Sequence, residues 1–175
     1  KCNLKIGLYL QRHLNWGEDN NFEVVKEMVK ASNIDIFVFP EECYTPFSEE
    51  MHKVGIGDCD RTRILESCEH LSRELGKAVI VSSYDRDGFI FSVFYNSFAT
   101  NDDTKFQIYI KHTQTNTSAF EYTNYKEVFE DLFEPINFKG YKIGLTICYD
   151  CNFSLFSRIY GLNNIDLIIN STGGN

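Results

Sequence analysis

Strand-like apolar runs alternate with helical patterns along this sequence, and this alternation limits the possible folds more than any other feature. The runs are rich in Ile, Val, Phe and Tyr, which favour strands; they occupy residues 4–10, 34–40, 77–82, 89–98, 106–110, 141–148 and 165–170. Apolar residues three and four apart predict helices over 21–31, 61–75 and 153–162. Asp60 is a candidate N-cap and Gly76 a candidate stop for the second helix. This order of elements predicts an α/β protein with layered sheets and outer helices.

A short internal repeat accompanies this pattern. Residues 32–38 read Ser-Asn-Ile-Asp-Ile-Phe-Val, and residues 163–169 read Asn-Asn-Ile-Asp-Leu-Ile-Ile. Each segment follows a predicted helix and begins a predicted strand, which indicates either two related helix–strand units or the shared composition of two buried strands. The sequence contains no linker or low-complexity tract, so we expect one domain over residues 1–175.

Charge and composition exclude several classes of partner. The formal net charge is −8 and no cluster of Lys and Arg is longer than a pair, which argues against nucleic acid and anionic membrane surfaces. No apolar run approaches the roughly 20 residues that span a bilayer, and no signal peptide is recognisable, so we expect a cytoplasmic protein, although the chain begins at Lys1 rather than Met. The six scattered cysteines are expected to be reduced. The four histidines lack ligand spacing, so we expect neither a metal site nor a cofactor.

Three reactive side chains each follow or end a predicted strand. Glu41 follows residues 34–40, Lys111 follows residues 106–110, and Cys148 ends the run 141–148. Because functional residues gather at the carboxyl ends of strands in such sheets, we expect these three to share one edge. Each has a structural alternative, respectively a solvated loop residue, an edge-strand lysine and a small buried thiol. A following helix N-terminus and the nearby Lys111 predict a lowered pKa for the Cys148 thiol.

The segments around these residues resemble motifs of the carbon–nitrogen hydrolase, or nitrilase, superfamily. The three segments are 39–41 (Phe-Pro-Glu), 109–112 (Tyr-Ile-Lys-His) and 144–150 (Gly-Leu-Thr-Ile-Cys-Tyr-Asp). Tyr95-Asn96, Arg158 and the strand leading to Asn170-Ser171 add supporting matches. The resemblance covers essentially the whole chain, and it implies a four-layer αββα sandwich.

The resemblance also implies the chemistry of the site. Cys148 would be the nucleophile, Glu41 the general base and Lys111 the residue that stabilises the tetrahedral oxyanion. The implied substrate is a small-molecule amide or N-carbamoyl compound, because Cys-Tyr-Asp differs from the Cys-Trp-Glu of the nitrile-cleaving branch. Acyl transfer to an amine remains an alternative to hydrolysis. The substrate-binding or supporting positions implied are Glu121, Tyr149, Asn170 and Ser171.

Family members continue beyond the Asn-Ser loop with strands that complete the second sheet. We therefore expect this chain to be an N-terminal portion of the domain, with an incomplete second sheet. An incomplete sheet leaves apolar surface that must be covered. We accordingly expect a homo-oligomer or association with a C-terminal remainder.

The sequence is also compatible with two other functions. Cys148-Tyr149-Asp150-Cys151 is a Cys-x-x-Cys segment between a strand and a helix, which is typical of a thiol–disulfide redox site. The chain could also be a binding or regulatory module that retains an inactive site. The redox hypothesis requires Cys151, whereas the amidase hypothesis does not.

Overall fold

The computed structural model describes residues 3–10, 22–41, 61–84, 90–113 and 133–173. Within them, five strands form one sheet in the order β1 to β5 and three form a second sheet in the order β6 to β8. The first sheet contains β1 (Ile6–Leu8), β2 (Ile36–Val38), β3 (Ala78–Tyr84), β4 (Ile90–Tyr95) and β5 (Phe106–Ile110). The second contains β6 (Ile136–Phe138), β7 (Tyr141–Ile147) and β8 (Leu167–Ser171). The helices are α1 (Phe22–Ala31), α2 (Arg61–Leu75) and α3 (Ser154–Leu162), and a 3₁₀ helix, Cys148–Asn152, follows β7.

Both sheets mix parallel and antiparallel pairs. Strands β1, β2 and β3 are parallel, and β4 and β5 continue the sheet antiparallel. Strands β7 and β8 are parallel, and β6 joins β7 through a hairpin. The predicted mixed α/β fold is confirmed. The short strand β6 was not predicted, because its three residues include the exposed Asn137 and lack a sustained apolar pattern.

The two sheets pack face to face, and helices cover outer faces. Phe94 of the first sheet meets Phe138 of the second edge-on, with ring centroids 5.7 Å apart. Helix α2 contacts β3 and β4 through an apolar stripe, Ile64, Cys68, Leu71 and Leu75, which is buried in the core. Such a stripe, repeating three and four residues apart, is what turns an amphipathic sequence into a packed outer layer. None of the helices in the described ranges is long and apolar enough to cross a membrane.

The internal repeat has a structural basis. Lys5 N–H donates to Asp35 Oδ2 at 2.8 Å, and Asp35 N–H donates to the Lys5 carbonyl at 2.7 Å. The second copy reproduces this reciprocal pair, because Lys142 N–H donates to Asp166 Oδ2 at 2.9 Å and Asp166 N–H donates to the Lys142 carbonyl at 2.8 Å. Each aspartate thus fixes the start of a parallel strand pair, β1 with β2 and β7 with β8.

Hydrogen bonds and an ion pair also join the two sheets at the end where β2 begins. Thr104 N–H donates to the Asn137 carbonyl at 2.8 Å, and Asn137 N–H donates to Thr104 Oγ1 at 2.9 Å. Lys139, in the hairpin between β6 and β7, forms an ion pair with Asp35. The carboxyl ends of β2, β5, β7 and β8 lie at the opposite edge, where the candidate site is found.

Candidate active site

Glu41 and Lys111 meet as a buried ion pair at the carboxyl ends of β2 and β5. Lys111 Nζ donates to Glu41 Oε1 at 2.7 Å, and the two side chains are only 5% and 9% exposed. The second carboxylate oxygen, Glu41 Oε2, accepts the Gly173 N–H at 3.2 Å. Pro40 precedes Glu41 and restricts the backbone as it leaves the strand. The carboxylate is therefore held from two sides.

Cys148 joins this pair from the end of β7. Its thiol donates a hydrogen bond to Glu41 and accepts one from the side chain of Thr172. The Cys148 backbone has a φ of 45°, in the left-handed region that non-glycine residues rarely adopt. Such a conformation persists where the surroundings over-determine it, and it is frequent at functional sites.

Burial raises the pKa of the Cys148 thiol. The hydrogen bond from Thr172 lowers this pKa, the hydrogen bond and charge of Glu41 raise it, and the charge of Lys111 lowers it, but the net direction is upward. The lowered pKa predicted from the sequence is therefore wrong. Cys148 begins a short 3₁₀ helix and α3 starts only at Ser154, so the helix N-terminus invoked in that prediction does not lie at the thiol.

A second carboxylate, Asp150, is fully buried beneath the site. Its Oδ1 accepts hydrogen bonds from Thr113 Oγ1 at 2.6 Å, Thr113 N–H at 2.9 Å and His112 N–H at 3.3 Å. Its Oδ2 accepts from the Tyr109 hydroxyl at 2.8 Å and from Ile147 N–H at 3.3 Å. One carboxylate thus binds both the segment that carries Lys111 and the turn that carries Cys148.

His112 extends this buried network. Its Nδ1 lies 2.9 Å from the Tyr109 hydroxyl, and since that hydroxyl donates to Asp150, we assign the proton to Nδ1. Burial lowers the pKa of His112, against the opposing charge of Asp150. The ring is stacked with Phe133 at a centroid distance of 5.0 Å. His112 therefore acts as a neutral hydrogen-bonding group rather than as a cation.

The supporting residues predicted from the sequence occupy different places. Asn170 Nδ2 donates to the Cys148 carbonyl at 3.4 Å. Ser171 is buried at the end of β8, paired in register with Ile147. Tyr149 is 41% exposed, while Glu121 lies outside the described residues.

Thr172, Gly173 and Asp150 were not among the residues predicted for the site. The internal repeat could have identified Thr172 as a site residue, because Thr172 lies six residues after Asp166, as Glu41 lies six residues after Asp35. Each of the two related strand ends therefore provides a side chain, Glu41 or Thr172, that is hydrogen-bonded to the Cys148 thiol. Across the described ranges, no three His, Cys, Asp or Glu side chains are grouped so as to hold a metal ion.

The fold is similar to those of solved amidases and carbon–nitrogen hydrolases. An amidase from Nesterenkonia sp. AN1 superposes with a TM-score of 0.68 at 14% identity, over 97% of this chain and 67% of the amidase. A carbon–nitrogen hydrolase from Helicobacter pylori G27 superposes with a TM-score of 0.63 at 16% identity, over 97% of this chain and 59% of that protein. In a glutamate-to-glutamine mutant of the Nesterenkonia amidase, acrylamide has added to the active-site cysteine; its TM-score is 0.66 at 13% identity, over 97% of this chain and 67% of that one.

These solved structures are longer than this protein, which spans 59% to 67% of their lengths. No curated protein sequence matches the chain. The family model described as carbon–nitrogen hydrolase matches residues 5–175, which is nearly the whole sequence. The chain therefore belongs to the carbon–nitrogen hydrolase family.

Proposed function

We propose that this site cleaves the carbon–nitrogen bond of a small-molecule amide or N-carbamoyl compound through a thioester on Cys148. The observation that carries the proposal is the position of the Glu41 carboxylate, which accepts a hydrogen bond from the thiol and pairs with Lys111 at 2.7 Å. A base, a nucleophile and a cation are thereby grouped in a largely buried site. This grouping suits acyl transfer because each step of that reaction needs one of these groups.

The first step forms the carbon–sulfur bond. The Cys148 thiol transfers its proton to Glu41 as the sulfur attacks the amide carbon, and the carbonyl π electrons move onto oxygen. A thiol with a raised pKa is protonated at neutral pH, so a hydrogen-bonded base is required to generate the nucleophile. The contact between the thiol and Glu41 meets this requirement.

Lys111 stabilises the negative oxygen of the tetrahedral intermediate. Its ammonium group is largely buried, and a fixed charge in such a site interacts with a developing oxyanion more strongly than it would in water. When the intermediate collapses, the carbon–nitrogen bond breaks and Glu41 returns the proton to the departing amine. The acyl group remains on Cys148 as a thioester.

Water completes the reaction by the same route. Glu41 takes a proton from the attacking water, the thioester carbon–sulfur bond breaks, and the sulfur recovers the proton. The products are a carboxylic or carbamic acid and the regenerated thiol. An amine in place of water would give acyl transfer with the same residues.

Intact-mass spectrometry of the protein incubated with a panel of small amides and N-carbamoyl compounds tests the proposal. We expect an added mass equal to the acyl group, located on Cys148 by peptide mapping. Cys148→Ala should form no adduct, and Glu41→Gln, nearly isosteric but unable to accept the proton, should lose turnover while remaining folded.

Cys151→Ser serves as the matched control, because it alters a neighbouring exposed thiol that has no part in the proposed mechanism. We expect this variant to behave like the unmodified protein. If no donor gives an adduct, and Cys151→Ser proves as damaging as Cys148→Ala, a dithiol redox function replaces the amidase proposal.

A further inference from the structure

Asp150 accepts hydrogen bonds both from the segment that carries Lys111 and from the turn that carries Cys148. We infer that Asp150 is a positioning residue, which sets the location of the Lys111 ammonium relative to the Cys148 sulfur without touching the substrate. The inference rests on the proposed function, since it assigns a role within that site. Asp150 would thus determine the geometry of the site although it is not one of the three reacting groups, Glu41, Lys111 and Cys148.

The network holds Lys111 from both sides along the chain. Tyr109, two residues earlier, donates its hydroxyl to Asp150 at 2.8 Å, and Thr113, two residues later, donates both its N–H at 2.9 Å and its hydroxyl at 2.6 Å. Lys111 itself is tied to the sheet, because its N–H donates to the Ile90 carbonyl at 2.8 Å. A displacement of the Lys111 backbone would break several of these bonds together.

The same carboxylate holds the nucleophile from both sides. Ile147, directly before Cys148, donates its N–H to Asp150 Oδ2 at 3.3 Å, while Asp150 itself lies two residues after Cys148 in the 3₁₀ helix. Cys148, with its left-handed φ of 45°, thus lies within a turn that this hydrogen bond closes. Since strained backbone persists only when its surroundings fix it, this bond contributes to the orientation of the thiol.

A carboxylate is required at this position because every group that faces it is a donor. Both oxygens of a carboxylate accept hydrogen bonds, whereas an asparagine would place an NH₂ group against a hydroxyl or a backbone N–H. The two sheets are also connected at the other end, by Thr104 with Asn137 and by Lys139 with Asp35, so their association does not depend on Asp150 alone. The specific consequence of losing Asp150 is a loose catalytic geometry, and a misplacement of about 1 Å can cost on the order of 10²-fold in rate.

The test uses Asp150→Asn together with a matched pair at Thr113. Thr113→Val removes the 2.6 Å hydroxyl donor at nearly constant shape, and Thr113→Ser retains that donor. Ser72→Ala is the stability control, because Ser72 is as fully buried as Asp150 but lies at the opposite edge of the sheet. Its hydroxyl donates to the Lys77 carbonyl and accepts a hydrogen bond from Ser97 N–H. Two readouts are measured on each folded variant: kcat and KM with an amide that is turned over, and the rate of Cys148 alkylation by iodoacetamide as a function of pH.

We expect Asp150→Asn and Thr113→Val to lower kcat by about tenfold to 10²-fold with KM nearly unchanged. For Thr113→Val, which leaves the charges of the site unchanged, the alkylation profile should move to higher pH, because Lys111 lowers the pKa of the thiol and a displaced Lys111 does so less. Thr113→Ser should restore both readouts, and Ser72→Ala should change stability alone. If Asp150→Asn does not fold, the Thr113 pair decides.

Variants that keep the normal kcat and alkylation profile, or that lose activity only in proportion to the unfolded fraction, would overturn the inference. The proposed function fails separately, if the unmodified protein turns over no amide. In that case the alkylation profile alone decides the role of Asp150, since it requires no amide substrate.

Discussion

Removal of the Lys111 charge should lower stability and activity through separable causes. The ion pair with Glu41 spans 2.7 Å and both side chains are almost fully buried. Replacing one partner of a buried pair leaves the other charge without compensation, which costs about 3–5 kcal/mol of unfolding free energy. For a domain of this size each kcal/mol corresponds to roughly 2–4 °C, so Lys111→Met should lower the Tm by roughly 6–20 °C. The loss of an oxyanion donor should also reduce kcat by about 10²- to 10³-fold.

A double-mutant cycle separates the two effects. Lys111→Met, Glu41→Gln and the double variant are compared by urea unfolding followed by circular dichroism, and by acyl-enzyme formation in intact-mass spectra. Replacing both members of a buried pair by hydrophobic residues is often nearly neutral; because Gln remains polar, the double variant should recover part of the stability that either single change loses. It should recover none of the activity, because the base and the oxyanion donor are both absent.

Two results would refute this reasoning. If the stability losses of the single variants simply add in the double variant, Glu41 and Lys111 are not energetically coupled and the buried pair does not exist in solution. If the double variant regains acyl-enzyme formation, neither residue has the role proposed for it.

Three further predictions concern individual residues. The exposed Cys151 should react with iodoacetamide before Cys148 at neutral pH, because the pKa of the Cys148 thiol is raised; peptide mapping after brief labelling would show the reverse order if this is wrong. The pKa of His112 is lowered below its ordinary value of about 6.5, so the unfolded chain binds the proton first as the pH falls. The stability of the protein should therefore decrease as the pH falls below about 6.5. In urea titrations His112→Gln should flatten this pH dependence of stability, and an unchanged slope would contradict the prediction. Leu155 and Leu162 of α3 are 57% and 74% exposed, and we expect the protein to self-associate through them. Leu155→Lys should reduce this association in sedimentation velocity, and a monomer both before and after the change would contradict the prediction.

The regular elements were predictable from the sequence because their signals are local. The predicted helix 61–75 coincides with α2, whose buried residues repeat at helical spacing and whose end is marked by Gly76 with a φ of 66°. Strand ends were less accurate, since the run 89–98 exceeds β4, which stops at Tyr95. Apolar composition continued there beyond the last ladder pair, Tyr95 with Phe106, and only the hydrogen bonds reveal the true end.

The supporting contacts of the site were not predictable in the same way. The bonds from Tyr109 and Thr113 to Asp150 join residues 41 and 37 positions apart, and no local pattern encodes such distances. The proximity of Glu41, Lys111 and Cys148 could be predicted because the carboxyl ends of strands place side chains at a known edge of the sheet. Their mutual geometry, and the direction of the thiol pKa, depended on burial that the sequence does not display.

The raised pKa of Cys148 is better suited to the proposed mechanism than a lowered one would be. A permanent thiolate beside Glu41 would place two negative groups together, with Lys111 as the nearby cation for both. With the proton on sulfur, the thiol donates to Glu41 and the Lys111 charge compensates the carboxylate. The group formed by Glu41, Lys111 and Cys148 then carries one negative and one positive charge at rest. Transfer of the proton to Glu41 moves the negative charge to the attacking sulfur and then to the substrate oxygen. Lys111 lies beside the charge throughout, so no new ion has to be desolvated during the reaction.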